Sequence, residues 1–314
     1  MTFFADQYEL LDFGQGRRLE RFGELVLDRP CPSAVGVRKQ NAALWIKADA
    51  VFISTDHQEN GRGIWKPKTD SAKRIFDPEM QEKSQNSHPW MIAHDKVTFE
   101  LRGTPFGHVG LFPEQAANWD RIVELCRNFE HIPGILNLFA YTGGSSLAAA
   151  SAGAEVTHVD SARNIVQWGK RNAECSQLEN AKIRWLAEDA RKFVKKEQKR
   201  NRSYQGIILD PPSYGHGVKG EVWRLSKHLE PLLDDCFSIL RPQNGCFLLL
   251  TWHTPGYPLE RLSELVDKSA KRVFLNRFPS QSGFHLEKQT LALTAKHGGE
   301  LHLGESVLFC YNCR

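Results

Sequence analysis

The run Asp210-Pro211-Pro212-Ser213-Tyr214 has the groups needed to hold an amine beside a planar ring, and it directly follows an apolar segment. Pro211 and Pro212 remove backbone N–H donors and stiffen the turn, so the Asp210 carboxylate and the Pro211 carbonyl can face an incoming amine as fixed acceptors. The Tyr214 ring can stack on a planar base. The alternative interpretation is a rigid loop with an exposed tyrosine.

A glycine-bearing turn lies earlier in the chain, at Phe139-Ala140-Tyr141-Thr142-Gly143-Gly144-Ser145. Glycine lets the backbone pass close to a ligand, and the free amides at the start of a following helix favour electron-rich atoms. These properties indicate a nucleotide-like cofactor. A plain tight turn is the alternative, because the turn does not have the GxGxxG pattern of dinucleotide-binding proteins.

Two acids occupy comparable places after apolar segments. Asp160 follows the turn by about 20 residues, where a carboxylate can accept both hydroxyl protons of a ribose. The pair Glu188-Asp189 ends the next apolar segment, where a carboxylate can accept the amino group of an adenine. Either acid is equally suited to cap a helix, since aspartate is a preferred N-cap residue.

All of these residues come directly after short apolar runs that alternate with helical patterns. Such alternation predicts an α/β fold in which helices cover both faces of a mostly parallel sheet. Two antiparallel strands are predicted near the C-terminus. The predicted strands are residues 135–139, 155–160, 183–187, 207–210 and 246–251, followed by 290–295 and 307–311.

The first part of the chain has a different pattern of apolar residues. Short apolar runs at residues 25–27, 43–46, 51–53 and 97–101 are separated by Gly, Pro and Asp, which predicts a small β-rich domain. Helical spacing begins at Pro113. We therefore expect a β-rich N-terminal domain over residues 1–112, suited to substrate docking, and a second domain over residues 113–314.

Composition limits the other function classes. A net charge of +4 does not by itself identify a nucleic-acid binder. Seven scattered cysteines and no apolar stretch of about 18 residues lead us to expect a cytoplasmic protein without a membrane segment. The pair Cys310 and Cys313 has no second pair at suitable spacing, so we expect no metal.

Taken together, the order of the glycine turn, Asp160, Asp189 and the Asp-Pro-Pro-Ser-Tyr run resembles a class I S-adenosylmethionine-dependent methyltransferase with a Rossmann-like sheet. The segments GLFPEQAANW, LNLFAYTGG and LDPPSYGHG are similar to methyltransferases of large-subunit ribosomal RNA, a group with cytosine-5 and guanine-N7 members. This resemblance covers about residues 90–251. The N-terminal LLDFGQGRRLERFG resembles an uncharacterised branch of that group.

The resemblance implies S-adenosylmethionine as cofactor, RNA as partner and a role for each motif. Gln115 would stand at the cofactor lid, although the arginine that usually follows in the family is missing. Asp160 would hold the ribose and Asp189 the adenine, while Asp210, Pro211, Pro212 and Tyr214 would meet the acceptor. The residues implied at the methionine and ribose part of the cofactor are Phe139, Tyr141, Thr142, Gly143 and Gly144.

One difference from the family's sequence pattern limits which atom of a base could be methylated. Cytosine-5 members carry Thr-Cys-Ser-Cys after the fifth strand, whereas this chain has Thr251-Trp252-His253-Thr254. Carbon 5 of a pyrimidine needs a cysteine that first adds to the ring, and Cys246 is expected in the core instead. We therefore expect methylation of a base nitrogen, with His253 a candidate base or substrate contact.

Two basic segments could contact RNA phosphates, or could simply be solvated surface. They are the helix and exit around Arg191–Arg202 and the cluster Arg17, Arg18 and Arg21. The alternatives to an RNA-base methyltransferase are a methyltransferase of a small molecule or protein, and a nicotinamide-dependent oxidoreductase.

Overall fold

A computed structural model of the chain describes residues 3–55, 61–77, 79–80, 89–216, 220–254, 258–279 and 283–312. The chain forms two compact units. Unit 1 comprises Met1–Ala116 and Ala292–Leu303, and unit 2 comprises Ala117–Leu291 and Gly304–Arg314. The first change of unit lies near Pro113, where the sequence places a boundary, but unit 1 also takes a C-terminal segment that the sequence assigned to the second domain.

Unit 1 contains a five-stranded sheet in the order β1-β2-β3-β4-β5, antiparallel except where β3 meets β4. A separate hairpin is formed by β6 and β7. The strands are β1 (Tyr8–Gly14), β2 (Arg17–Phe22), β3 (Leu25–Pro30), β4 (Ala50–Ser54), β5 (Gly63–Pro67), β6 (Met91–His94) and β7 (Val97–Glu100). The helices are α1 (Ala42–Ile46) and α2 (Asp70–Phe76), with 3-10 turns at Pro32–Ala34 and Pro113–Gln115.

One predicted strand of unit 1 is wrong. Residues 43–46 lie in α1 rather than in a strand, because the Asn41 side chain accepts a hydrogen bond from the Ala43 amide and caps the helix. Trp45 is the buried residue of this short helix. A four-residue apolar run does not distinguish a strand from one helical turn.

Unit 2 is built on a seven-stranded sheet in the order β10-β9-β8-β11-β14-β16-β15, and this confirms the predicted α/β class. The strands are β8 (Gly134–Leu138), β9 (Glu155–Asp160), β10 (Ile183–Ala187), β11 (Gly206–Leu209), β14 (Cys246–Trp252), β15 (Phe284–Thr294) and β16 (Glu300–Tyr311), and the hairpin β12 (Tyr214–His216) with β13 (Val222–Arg224) stands apart. The helices are α3 (Ala116–Arg127), α4 (Gly144–Ser151), α5 (Arg163–Cys175), α6 (Ala190–Lys199), α7 (Leu225–Ile239) and α8 (Leu259–Ser269), and a π-helical turn spans Ala270–Leu275.

The register of the parallel strands aligns their carboxyl ends. Leu138 is opposite both Val159 and Leu209, and Leu209 is opposite Leu250. All residues of β11 and β14 are buried, as expected for central strands that helices cover on both faces. The segments that follow these strands therefore meet along one edge of the sheet. β16 pairs with β14 in the antiparallel sense, as the sequence predicts.

Within the described residues, the helices are too short or too polar to cross a membrane.

Candidate active site

A pocket opens in unit 2 at the carboxyl ends of β8 to β11. It brings together four residues to which the family resemblance assigns a role: Phe139, Asp160, Asp189 and Pro212. They come from different segments of the chain, each at or just after the carboxyl end of a strand, so the sheet rather than local sequence assembles them. The remaining lining residues are Val159, Ser161, Glu188, Ala190, Gly215, Glu221 and Trp223.

Asp160 is held in place by two backbone donors. One carboxylate oxygen accepts from the Tyr141 amide at 2.9 Å, and the other accepts from the Ala162 amide at 2.9 Å. Burial raises the pKa of Asp160 above its ordinary value, and these two hydrogen bonds offset part of that increase. A carboxylate has about four acceptor sites. Two remain after these contacts, and this number fits the two hydroxyl groups of a ribose.

The glycine turn lies next to Asp160 and has an unusual backbone. Gly143 adopts φ 95° as the N-cap of α4, and Tyr141 has φ 48°, in the left-handed region that few side chains adopt. The buried Asn172 amide donates to the Thr142 carbonyl at 2.9 Å. A Cβ on Gly144 would lie 2.6 Å from the Trp119 ring, so only glycine fits there.

These contacts show how the turn is fixed, but the turn residues do not all face the pocket. Tyr141, Thr142, Gly143 and Gly144 are not among its lining residues. Thr142 is buried, at 2% exposure. Phe139 is the turn residue that reaches the pocket. The predicted cofactor contacts of the other four therefore stay predictions.

The sequence left two roles open for Asp189, a helix N-cap and an adenine contact, and its position is compatible with both. It is the N-cap of α6, where one carboxylate oxygen accepts from the Lys192 amide at 3.0 Å. The same side chain lines the pocket. The other oxygen lies 3.6 Å from the Arg191 guanidinium, and it is the atom that an adenine amino group would have to reach. The structure thus demonstrates the cap and leaves the adenine contact as a prediction.

Gln115 is buried at the end of the 3-10 turn Pro113–Gln115 in unit 1. The lid role that its sequence position implies stays a prediction.

The Asp-Pro-Pro-Ser-Tyr segment is joined to the segment after β14 by two contacts. Asp210 Oδ1 lies 3.3 Å from His253 Nε2. The Ser213 and Thr254 hydroxyls are 2.6 Å apart. Tyr214 is 52% exposed, so its ring is accessible for stacking. Gly215 pairs with Trp223 in the β12–β13 hairpin.

Trp223 is a pocket residue that sequence analysis missed. Its Nε1 donates to the Pro212 carbonyl at 2.6 Å, and its ring centroid is 4.9 Å from that of Phe139. The tryptophan thus joins the cofactor turn to the acceptor segment. The sequence shows only an isolated Trp in a charged stretch. Its contact with Pro212 depends on the β12–β13 hairpin, which the sequence does not reveal.

The basic side chains of α6 have acidic partners from other elements. Lys192 pairs with Glu221, and Lys196 pairs with Glu188. Lys195 lies 3.6 Å from an Asp235 oxygen. The sequence showed Glu197 as the acid within this segment, but the fold supplies further acids to neutralise the helix.

The second basic cluster is not a continuous surface, because one of its three arginines is buried. Arg18 is 6% exposed and lies 3.2 Å from the buried Glu20 carboxylate. Arg17 pairs with Asp28, and Arg21 pairs with Glu9. Each of the three guanidinium groups pairs with an acid of unit 1, which lowers the charge available to phosphates.

One group of metal-binding residue types occurs in the described part of the chain. His285, Glu287 and Cys310 have ligand atoms within 4.8 Å of one another. The Arg121 guanidinium donates to the Glu287 carboxylate at 2.6 Å, and its positive charge opposes a cation there. The expectation of a metal-free protein stays a prediction.

The pocket fits the adenosine part of S-adenosylmethionine. Asp160 offers two acceptor positions at the edge where ribose hydroxyls would lie, and Asp189 offers one. Phe139 and Trp223 supply apolar ring surface. Cofactor pockets commonly combine an apolar lining with a few fixed polar groups.

Comparison with known proteins places this geometry in a family. Residues 86–250 match the S-adenosylmethionine-dependent methyltransferase family. An S-adenosylmethionine-dependent methyltransferase structure from Agrobacterium tumefaciens is 32% identical, with a TM-score of 0.81 over 98% of this chain and 91% of that one.

Curated relatives are named as ribosomal RNA enzymes. The ribosomal RNA large subunit methyltransferase K/L of Shewanella frigidimarina is 24% identical over 65% of this chain and 26% of its own length. The ribosomal RNA large subunit methyltransferase I of Tolumonas auensis is 28% identical over 54% of this chain and 41% of its own length. The chain thus spans a minor part of each of these two relatives. From the family match and the agreement of fold and pocket, the chain belongs to the S-adenosylmethionine-dependent methyltransferase family.

Proposed function

We propose that this protein transfers the methyl group of S-adenosylmethionine to a nitrogen of a base in RNA, with large-subunit ribosomal RNA as the favoured substrate. The observation that supports it best is the arrangement around Asp210. Its carboxylate lies at the sheet edge beside the cofactor pocket, in the family's acceptor segment, and contacts His253 at 3.3 Å.

The choice of nitrogen as acceptor rests on the residues that stand where cytosine-5 members of the family carry two cysteines. Trp252 and Thr254 stand at those two positions, so the nucleophile needed for carbon 5 is missing there. Cys246 is fully buried in β14, as the sequence predicts, and Cys236 is fully buried in α7. A nitrogen lone pair needs no covalent activation, only alignment with the methyl carbon and exclusion of water.

The RNA substrate is supported by the names of the relatives, which describe large-subunit ribosomal RNA methyltransferases. A base in a helix would have to be flipped out, at a cost of a few kcal/mol. Tyr214, exposed beside the acceptor segment, is suited to stack on such a base. A ribosomal RNA substrate would also place the protein in the cytoplasm.

Residue roles follow within this proposal. Asp160 would bind the ribose and Asp189 the adenine, with Phe139 and the turn Tyr141–Gly144 beside the methionine and ribose part and Gln115 at the lid. Asp210, Pro211, Pro212 and Tyr214 would orient the base.

A second candidate is a methyltransferase of a small molecule or protein. The ion pairs of α6 favour it, because cations already paired with acids contribute less to phosphate binding. The nicotinamide-dependent oxidoreductase alternative is wrong, since the family match and the related structure are both methyltransferases.

The test is deletion of the gene in its host, followed by mass spectrometry of the nucleosides of purified large-subunit ribosomal RNA. We expect one methylated nucleoside to disappear and to return with the wild-type gene but not with Asp210→Ala. An identical nucleoside profile would contradict the RNA substrate and favour the second candidate.

A further inference from the structure

The β12–β13 hairpin has two faces with different surroundings. Side chains alternate along a strand, so Trp223 projects to one face and its neighbours Val222 and Arg224 project to the other. Trp223 is buried and lines the cofactor pocket, together with the opposite residue Gly215. Val222 is 36% exposed, and Arg224 is exposed. One face of the hairpin therefore closes the pocket, and the other, the outer face, is open to solvent.

The outer face places a cation beside an aromatic ring. Arg224 is directly opposite Tyr214 in the antiparallel pair. Residues in this relation project from the same face, with Cβ atoms about 5 Å apart. Tyr214 is 52% exposed. The Arg224 side chain thus begins next to the ring that the proposed function sets against the base.

A second cation follows in the first turn of α7. Lys227 is exposed and lies three residues after Arg224. His228 Nδ1 accepts a hydrogen bond from the Arg224 amide at 2.9 Å, which fixes this turn against the end of β13. Burial lowers the pKa of His228, and the positive charges of Arg191 and Lys227 lower it further. Lys227 therefore lies close to the end of the hairpin that carries Arg224.

These two cations differ from those of α6 in their partners. Within the described part of the chain, neither Arg224 nor Lys227 forms an ion pair. The acids nearest to them in sequence pair elsewhere, Glu221 with Lys192 and Glu230 with Arg272. Because no acid of the fold neutralises Arg224 and Lys227, their charge is available to an external anion.

The combination of a ring and cations selects among anions. Proteins bind single-stranded nucleic acid by stacking bases on aromatic rings while cations follow the phosphates. An acidic peptide would match the two cations but would have no planar group for the Tyr214 ring. RNA matches both features of the outer face.

From this geometry we propose, resting on the proposed function, that the outer face of the β12–β13 hairpin binds single-stranded RNA beside the target base, with Arg224 and Lys227 contacting its phosphates. Such contacts exist both before and during methyl transfer. They therefore contribute to the KM for RNA and leave kcat unchanged.

The first test measures methylation of large-subunit ribosomal RNA from a host strain without the gene, with S-adenosylmethionine labelled in the methyl group. Arg224→Gln and Lys227→Gln should each raise the KM for RNA about 2- to 5-fold, the effect of one exposed ion pair, and together about 4- to 25-fold. The kcat and the Kd for S-adenosylmethionine should stay within about twofold of wild type, since neither residue lines the pocket. Arg224→Lys preserves the charge and should recover most of the affinity for RNA.

The matched controls are two exposed arginines at the opposite edge of the sheet. Arg127 ends α3 ahead of β8, and Arg241 follows α7 ahead of β14. Arg127→Gln and Arg241→Gln should have the KM of wild type. Labelled RNA with an equal KM in wild type and the double variant would overturn the inference and leave the proposed function intact. No label in RNA would overturn the proposed function and this inference with it.

The second test is the salt dependence of kcat/KM for RNA. Each phosphate neutralised on a single strand contributes about 0.7 to the slope of log affinity against log salt concentration. The slope of the double variant should therefore be shallower than that of wild type by about 1.4, and each control should have the wild-type slope. Equal slopes in wild type and the double variant would overturn the phosphate contacts.

The third test needs no turnover. A photo-crosslinking amino acid at Val222, on the outer face, should crosslink to the same ribosomal RNA. The same group at Ile132, which is 60% exposed and precedes β8 at the opposite edge of the sheet, is the control and should crosslink little. Equal crosslinking at the two positions would overturn the assignment of RNA to the outer face.

Discussion

Two aspartates, the buried Asp12 in unit 1 and the half-buried Asp160 in unit 2, differ in how fully their acceptor sites are used. Asp12 in unit 1 is completely buried and accepts four hydrogen bonds, with a histidine as a further contact at 3.3 Å. Asp160 in unit 2 accepts two. The partners of Asp12 are the amides of Phe13, Gln40 and Asn41, Trp45 Nε1 and His297 Nε2.

The difference appears in the pKa values. Burial alone would raise the pKa of Asp12, but its hydrogen bonds outweigh burial and hold the pKa below the ordinary 3.8. For Asp160, the effect of burial is larger than that of its two hydrogen bonds, and the pKa lies above 3.8. A carboxylate with all acceptor sites filled stabilises a fold, whereas one with open sites beside a pocket is suited to bind a ligand.

The largest expected effect comes from Asp12→Asn. The new amide nitrogen would face backbone donors that now have acceptors, at about 1–3 kcal/mol for each group left unsatisfied. We expect the free energy of unfolding to fall by about 3 kcal/mol, measured by chemical denaturation. Affinity for S-adenosylmethionine in the folded fraction should stay within about twofold. An unchanged free energy of unfolding would show that Asp12 does not stabilise the fold.

The same substitution at Asp160 should have the reverse profile. Asp160→Asn loses a charged acceptor for the ribose, so the Kd for S-adenosylmethionine should rise about 10- to 100-fold by calorimetry, equivalent to about 1.5–3 kcal/mol. The free energy of unfolding should change by less than about 1 kcal/mol, because relief of carboxylate burial offsets one lost hydrogen bond. A wild-type Kd in this variant would exclude the ribose contact.

Asp189 lies between these extremes, and a pair of variants separates its roles. Asp189→Ala should lower the free energy of unfolding by about 1 kcal/mol through loss of the α6 cap, whereas Asp189→Asn should preserve the cap. Both should raise the Kd for S-adenosylmethionine several-fold if the second oxygen binds the adenine. Equal affinity in both variants and wild type would leave Asp189 as a cap alone.

The smallest expected effect is the pH dependence. Because the pKa of Asp160 is raised, the carboxylate gains a proton at a higher pH than an ordinary aspartate, and the decline of cofactor affinity with falling pH should begin earlier than it would with an ordinary aspartate. Asp12 has a lowered pKa, so its contribution to stability persists until pH falls below 3.8. Calorimetry over a series of decreasing pH values should show the decline in wild type, and an equal decline in Asp160→Asn would assign it to another group.

The sequence predicted the parts of this account that depend on local order. Short apolar runs predict β8 to β11, and acids placed directly after them must meet at one sheet edge, so Phe139, Asp160, Asp189 and Pro212 in one pocket were accessible to sequence reasoning. The family match also follows from these motifs.

Contacts between segments that are distant in the chain could not be predicted from the sequence. His297 approaches Asp12 only because residues 292–303 belong to unit 1, and no periodicity specifies that association. Trp223 reaches Pro212 through a hairpin in a charged stretch, and Arg18 is buried beside Glu20 although its sequence is typical of a surface. In each case, long-range pairing overrides the local pattern.

The most direct test of the central claim is a crystal structure of the protein with S-adenosylhomocysteine. The account predicts both ribose hydroxyls within hydrogen-bond distance of the Asp160 carboxylate, and the adenine between Asp189 and the Trp223 ring. Density for the nucleoside outside the pocket at the ends of β8 to β11, or a ribose with no contact to Asp160, would contradict it.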